Sequence, residues 1–274
     1  MLAQATGIYR ERPAAGPLGD HFACVWVHRL PATEAEPIVV VPDGTIDLQW
    51  VDGVLRIAGP DREPQTEALA PGAIVVGFRF RPGHAAEWLG LSAAELLNRR
   101  IPLDDIWGRE ASRLAEEVGA ARGIADLVQR LEHGLVQRAA GRAPSRSYSQ
   151  AAYRLLTEGA PPGKELIPWL ADELALSERT LRRRFGEAFG YGPKTLDRIL
   201  RFQRFLTLLR GTGHRSLAEL AAVAGYADQA HLTRESRRLA GGTPGEIAAL
   251  LADKPPVGPP ERTESLQFDW CWSG

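Results

Sequence analysis

Between Asp20 and about Phe80 the apolar positions fall in short runs or in strict alternation. His21–His28 is a β-branched and aromatic run bounded by Gly19-Asp20 and Pro31. Ile38–Val41 ends at Pro42-Asp43-Gly44, where proline presets φ and glycine accepts a positive one. Ile46, Leu48 and Trp50 alternate with Asp47, Gln49 and Val51, the period of a half-buried strand. Asp52-Gly53 then turns the chain into Val54–Ala58, a hairpin signal. Ala73–Phe80 is one more strand, stopped by Arg81-Pro82-Gly83. Strands so spaced predict an antiparallel barrel or sandwich. Such a domain is either plain core or a small barrel around a ligand cavity. In the second case Trp26, Trp50, Phe78, Phe80 and Trp88 are the candidate lining residues.

Past Pro82 the period becomes helical. Ser92 with Glu95 forms a capping box, and Leu114, Val118, Ile124, Leu127, Leu131 and Leu135 recur at helical spacings. Residues 141–147 have linker composition. Beyond them Leu166, Leu170 and Leu174 stripe a short helix, Ala175-Leu176 breaks it, and Ser177 caps a second helix. That helix turns Leu181, Phe185 and Ala188 inward and carries Arg179, Arg182, Arg183 and Arg184 elsewhere, ending at Gly190. A long helix follows from about Pro193, with Phe202, Phe205, Leu206 and Leu209 on its buried side.

The two-helix pattern then repeats. Ser216 and Glu219 form another capping box, Leu217, Leu220 and Ala224 the stripe, and Gly225-Tyr226 the turn. Asp228 caps a helix bearing Gln229, Thr233, Arg234, Arg237 and Arg238. A short helix, a tight turn and a basic helix is the arrangement that enters a DNA major groove.

Length adds a prior of two domains at 274 residues. The expected division is 1–140 for the β-rich domain ending in helices and 141–147 for the linker. The double helix-turn-helix domain would then span 148–250, and a Pro-rich tail 251–274. Net charge is −1, which by itself argues against bulk attraction to polyanions. Its distribution changes the picture: residues 151–250 hold fifteen Lys plus Arg and eleven Asp plus Glu, while the remainder holds eighteen and twenty-three. Binding is therefore expected to rely on placed arginines more than on diffuse charge.

Ser177–Phe185 with Gly190-Tyr191-Gly192-Pro193, and Ala221–Arg234 with Gly241-Gly242-Thr243-Pro244, resemble the two helix-turn-helix motifs of the AraC/XylS transcription regulators. Pro42-Asp43-Gly44, Gly59-Pro60, Phe80–Gly83 and Ile101–Gly108 resemble the sensor half of some members. The resemblance implies an α+β chain: a cupin-like antiparallel β barrel or sandwich with helices, then an all-α double helix-turn-helix domain. It implies recognition helices in successive major grooves, with Arg179, Arg182 and Arg183 base-facing in the first motif. In the second motif those positions fall on Gln229, Thr233 and Arg234. Ser177 and His231 complete the expected DNA-contacting set, His231 as a phosphate neighbour. Arginine can grip guanine, glutamine adenine, and a threonine methyl thymine. The sequence departs from the family at Ser236, where a core phenylalanine is usual, and at Ala240 and Ala248.

The expected function is a sequence-specific, DNA-binding transcription regulator controlled by a small-molecule effector in the N-terminal domain. The alternative is an effector-independent regulator whose N-terminal domain serves dimerisation or partner binding. Expected partners are double-stranded DNA and a small-molecule effector, with RNA polymerase and a second copy of the chain also open. A β-barrel enzyme ranks third, because no H-x-H, H-E-x-x-H, C-x-x-C or G-x-S-x-G pattern occurs. No catalytic residue, metal site or cofactor is expected. His21 and His28 read as strand positions on opposite faces, unable to share a metal. Cys24 and Cys271 fit neither a disulfide framework nor a zinc spacing. With no signal-like or spanning apolar run, the expected location is the cytoplasm without membrane contact. In the tail, Leu266, Phe268, Trp270 and Trp272 alternate with polar residues, the pattern of a strand added to a sheet edge.

Overall fold

The computed structural model describes residues 2–3, 6–33, 37–140, 148–211 and 216–252. The expected linker and the aromatic tail lie outside them. The N-terminal half holds eight strands among the described residues: β1 (Ile8–Pro13), β2 (Phe22–Arg29), β3 (Ile38–Val40), β4 (Asp47–Val51), β5 (Val54–Ala58), β6 (Gln65–Glu67), β7 (Ile74–Phe80) and β8 (Arg100–Pro102). Six form one antiparallel sheet in the order β1-β2-β7-β4-β5-β8, and β3 pairs with β6 in a separate ribbon. The β4–β5 hairpin turns at Asp52 (φ 47°) and Gly53 (φ 87°), both left-handed as a type I′ turn demands.

The period of two sorts the sheet into unlike faces. Val25, Val27, Leu48, Trp50, Leu55, Ile57, Val76, Phe78 and Phe80 share one buried cluster with Leu114, Val118, Val128, Leu131 and Leu135. The latter come from α3 (Arg109–Gly119) and α4 (Ile124–Ala139), which cover that face after α1 (Ala85–Leu89) and α2 (Asp104–Trp107). The opposite face carries Trp26, Val51 and Val75 together with a band of charges. Arg79 forks onto both oxygens of Asp47 (3.1 and 3.2 Å) and reaches Asp43 at 3.1 Å. Arg100 grips Asp61 (2.8 Å) and Glu67 (2.8 Å), and Arg56 also reaches Glu67 (2.5 Å).

These pairs carry a pH signature. Burial would raise Glu67, but Arg56 and Arg100 outweigh it and hold the carboxyl below its ordinary 4.5. A depressed folded pKa stabilises above the unfolded value, and that contribution is lost as pH falls through the folded one. Asp61, raised by burial, acts in the opposite sense. Urea melts of Glu67→Gln against the parent are thus expected to differ most at neutral pH and to converge below the parent's Glu67 titration. A difference that stays constant from pH 7 to pH 3 would show that the pair contributes nothing through charge.

The helical domain follows: α5 (Tyr148–Glu158), α6 (Leu166–Glu173), α7 (Glu178–Phe189), α8 (Pro193–Arg210), α9 (Leu217–Ala224), α10 (Gln229–Ala240) and α11 (Pro244–Ala252). Phe185, Leu196, Ile199, Phe202, Phe205, Leu220, Leu232 and Leu239 belong to one continuous core, with α8 as its spine.

The two halves touch. Pro42 carbonyl accepts from the Gln203 side chain (2.7 Å), and the His84 and Gln150 side chains meet at 2.7 Å. The end of α7 abuts the 3₁₀ turn Ala93–Leu96, whose capping box forms as read: Ser92 accepts from Ala94 N–H and Glu95 accepts from Ser92 N–H. His21 departs from the sequence reading, lying in a turn before β2 with its ring 6.4 Å from His84. The strand run breaks there because residues 16–20 fold into a 3₁₀ turn that drops Leu18 into the core.

Candidate nucleic-acid interface

The first helix-turn-helix is α6, a turn at Leu174–Ser177, and α7. The Ser177 hydroxyl accepts from the Thr180 N–H at 3.2 Å, the N-cap its residue type predicts. Its Oγ also donates to the Thr180 hydroxyl at 2.9 Å, so this side chain serves the helix start. Leu181 and Phe185 are fully buried, which fixes the rotation of α7 and leaves Arg179, Arg182 and Arg183 exposed. Arg182 pairs with Glu178 (2.8 Å) and Arg183 with Glu187 (2.7 Å), each one turn away. Both pairs are more than half exposed on the arginine side, so water weakens them and they break at little cost. Arg179 has no ion pair among the described residues and points to solvent.

The second unit is α9, a turn at Gly225–Asp228, and α10. Its capping box forms as the spacing requires, with Ser216 N–H donating to Glu219 (2.7 Å) and Glu219 N–H to Ser216 (3.2 Å). Asp228 caps α10 by accepting from His231 N–H at 2.6 Å. Gln229 and Arg234 are exposed; Thr233 is half-buried, its hydroxyl donating to the Gln229 carbonyl at 2.9 Å. His231 lies one turn into the same helix, beside the cleft between the two units. Its ring meets Tyr226 of the preceding turn edge-on at 5.2 Å and is half-buried.

Ser236 is wholly buried and its hydroxyl has no hydrogen-bond partner among the described residues. An unsatisfied buried donor costs free energy that an apolar group of similar size does not. Ser236→Ala is therefore expected to raise the stability of the helical domain by about 1 kcal/mol, read as a higher thermal midpoint. A fall of the midpoint would mean that the hydroxyl is satisfied in solution.

Between the units lies a cleft of about 560 Å³ that the sequence did not reveal. Its floor is α8, with Lys194, Asp197, Arg198 and Arg201 on one face; Glu178 and Arg182 of α7 and His231 and Glu235 of α10 form walls. Arg198 and Glu235 approach at 3.2 Å and tie the second recognition helix to the spine. Burial, then the nearby Arg238, hold the Arg198 guanidinium below its ordinary pKa. The signal was present as i, i+3, i+4, i+7 charges on α8, but only the fold shows which helices they face.

The expected effector set does not come together. Trp50, Phe78, Phe80 and Trp88 belong to the apolar core beneath α3 and α4, and Phe80 and Trp88 rings pack 5.8 Å apart. Trp26 is on the other face, lying across Gly77, where a Cβ would meet its indole at 2.2 Å. The strand period alone separates these residues, because Trp26 and Val25 must point oppositely. Five aromatics lining one cavity is thus replaced by four in a core and one on the charged face.

Residues 170–249 match the family described as a helix-turn-helix domain, and residues 10–102 match a domain of unknown function, DUF6597. The C-terminal half thus holds a helix-turn-helix domain, over residues 170–249. A domain of this kind is a DNA-binding module. Among solved structures, the chain is similar to ToxT from Vibrio cholerae O395, at 13% identity over 82% of this chain and 96% of that one, TM-score 0.46. A second likeness is to unsaturated fatty acid bound wild-type ToxT from Vibrio cholerae strain SCE256, at 14% identity over 86% and 98%, TM-score 0.45. The transcriptional regulator CdpR from Pseudomonas aeruginosa is similar at 24% identity over 66% of this chain and 47% of that one, TM-score 0.32. No curated protein matches the sequence. Among the described residues no helix is long and apolar enough to cross a membrane.

Proposed function

We propose that this chain is a sequence-specific transcription regulator in which α7 and α10 both read bases and a small molecule in the N-terminal half controls how they are presented. The observation that carries the first part is the pairing of two capped helices, each anchored by buried residues on one side. Each presents exposed Arg or Gln side chains to solvent on the other. Arg179, Arg182 and Arg183 suit guanine edges, Gln229 suits adenine, and Arg234 suits guanine or phosphate. Ser177 and Asp228 position these side chains by fixing where each helix begins.

Control by a small molecule is supported by the contact between halves. The sheet half touches α7 at its end and α8 through Pro42, so a ligand that favours one arrangement of that contact shifts the population presented to DNA. The boundaries 1–140 and 148–250 belong to the same proposal. Chemical footprinting of the full chain on a selected site tests it. Two protected major-groove windows, one helical turn (about 10 base pairs) apart, are expected. One window, or protection that ignores sequence, would reject two-helix reading.

A further inference from the structure

Arg198 of α8 is a charge whose enclosure the fold does not compensate. Its guanidinium makes no hydrogen bond with a described residue, and Nε and Nη2 are buried without a partner. Glu235 stands 3.2 Å from Nε but off the hydrogen-bond line, so its Oε2 is unpartnered as well. Arg238 and, from the sheet half, Arg62 repel the same guanidinium. A buried charge without hydrogen bonds is costly, and like charges beside it add to the cost.

Other unmatched donors face the same cleft of about 560 Å³ between the helix-turn-helix units. Tyr226 is 4% exposed, lines the cleft, and its hydroxyl has no partner among the described residues. Lys194 lines the cleft too, exposed and without an ion pair among the described residues. The remaining arginines of the lining are matched, Arg182 by Glu178 and Arg201 by Asp197. The unmatched donors therefore gather on the α8–α10 side, while the unpaired acid of the lining, Glu165, stands exposed at the start of α6. Such a donor set lacks an anion with several acceptor oxygens.

We infer that the cleft seats a backbone phosphate of the DNA strand running between the two half-sites, with Arg198, Lys194 and Tyr226 as its donors. The inference rests on the two-helix reading above and adds a contact that neither recognition helix makes to bases. A duplex that takes α7 and α10 into successive major grooves keeps a minor groove between them, and each edge of that groove is a strand of phosphates. α8 touches both helices and floors the cleft, so it lies under that stretch. A contact of this kind positions the duplex without reading its sequence.

The test measures binding of the full chain to a selected duplex over a range of salt concentrations. It is repeated with single uncharged methylphosphonates placed between the half-sites. Lys194→Gln and Arg198→Gln are each expected to lower the slope of log Kd against log salt by about one, with the preference for specific over random DNA unchanged. Arg113→Gln, the same charge change on α3 of the sheet half, is expected to keep the parent slope. One methylphosphonate position is expected to weaken the parent about tenfold, and Lys194→Gln much less, because the charge it met is gone. Tyr226→Phe is expected to bind about threefold more weakly at the parent slope and to melt no lower than the parent.

A parent slope in Lys194→Gln, an equal loss in Arg113→Gln, or no sensitive phosphate between the half-sites overturns the inference. Should Arg198→Gln melt without cooperativity, parent behaviour of either Lys194→Gln or Tyr226→Phe overturns it. Pyrophosphate that saturates the cleft without DNA, while no methylphosphonate matters, would assign the site to a free anion instead. If the parent shows no sequence preference, the two-helix reading itself fails. If it protects two windows and no phosphate between them matters, the inference fails alone.

Discussion

Replacing Arg179 and Arg183 together with alanine is expected to abolish most of the chain's preference for its DNA site while leaving its fold unchanged. Each side chain is exposed, and neither contributes to the core formed by Leu181 and Phe185, so removal costs almost no stability. A base-reading arginine contributes roughly 1–3 kcal/mol of discrimination. Two on one helix therefore remove about 2–6 kcal/mol, well over tenfold in the ratio of specific to non-specific binding. Competition mobility shifts against unrelated duplex provide the ratio. Arg183 must leave Glu187 to reach a base, and Arg182 must leave Glu178; Arg179 has no pair to break. Arg179→Ala is accordingly expected to have the larger single effect. If both single variants weaken specific and random DNA alike, these arginines touch phosphates only.

The second large effect concerns stability. Gly190 ends α7 in the left-handed region (φ 83°), and a Cβ there would come within 2.7 Å of Pro60 and 2.9 Å of the Ala93 carbonyl. One residue thus serves as helix cap and as docking point for the sheet half. Gly190→Val meets left-handed strain of about 1–2 kcal/mol and overpacking of about 1–3 kcal/mol, together about 2–5 kcal/mol. Gly186, on the same helix, has open space around its Cα and an ordinary helical φ. Gly186→Ala is expected to stabilise by about 0.5–1 kcal/mol. Opposite signs in thermal melts of two variants four residues apart would tie the loss to the contact between halves. A Gly190→Val protein that melts like the parent would mean that this contact is open in solution.

Local chemistry was the most legible part of the sequence. Caps at Ser92, Ser177, Ser216 and Asp228, the αL end at Gly190 and the Asp52-Gly53 turn all form where residue type and spacing put them. Those features depend on contacts within a few residues, which a sequence carries whole. The first strand was missed because Tyr9, Arg10, Glu11 and Arg12 read as a polar segment. It is an edge strand, where charges are tolerated and protect the edge. β6 and β8 are three residues each, too short for any period. The effector set went astray because aromatic content marks a core and a cavity alike. Deciding between them needs the neighbours across the sheet, such as Gly77 beneath Trp26. The cleft between the helix-turn-helix units joins residues far apart in the chain, which no local pattern encodes.

The central claim is that two recognition helices of one chain read DNA together. Unbiased selection of bound duplexes by the full-length protein tests it most directly, repeated with Arg179→Ala, Arg183→Ala and with Gln229→Ala, Arg234→Ala. The account predicts a bipartite site with halves about one helical turn apart, each pair of substitutions erasing sequence preference in one half and sparing the other. A single contiguous site that both pairs degrade equally, or no enriched site at all, would contradict it.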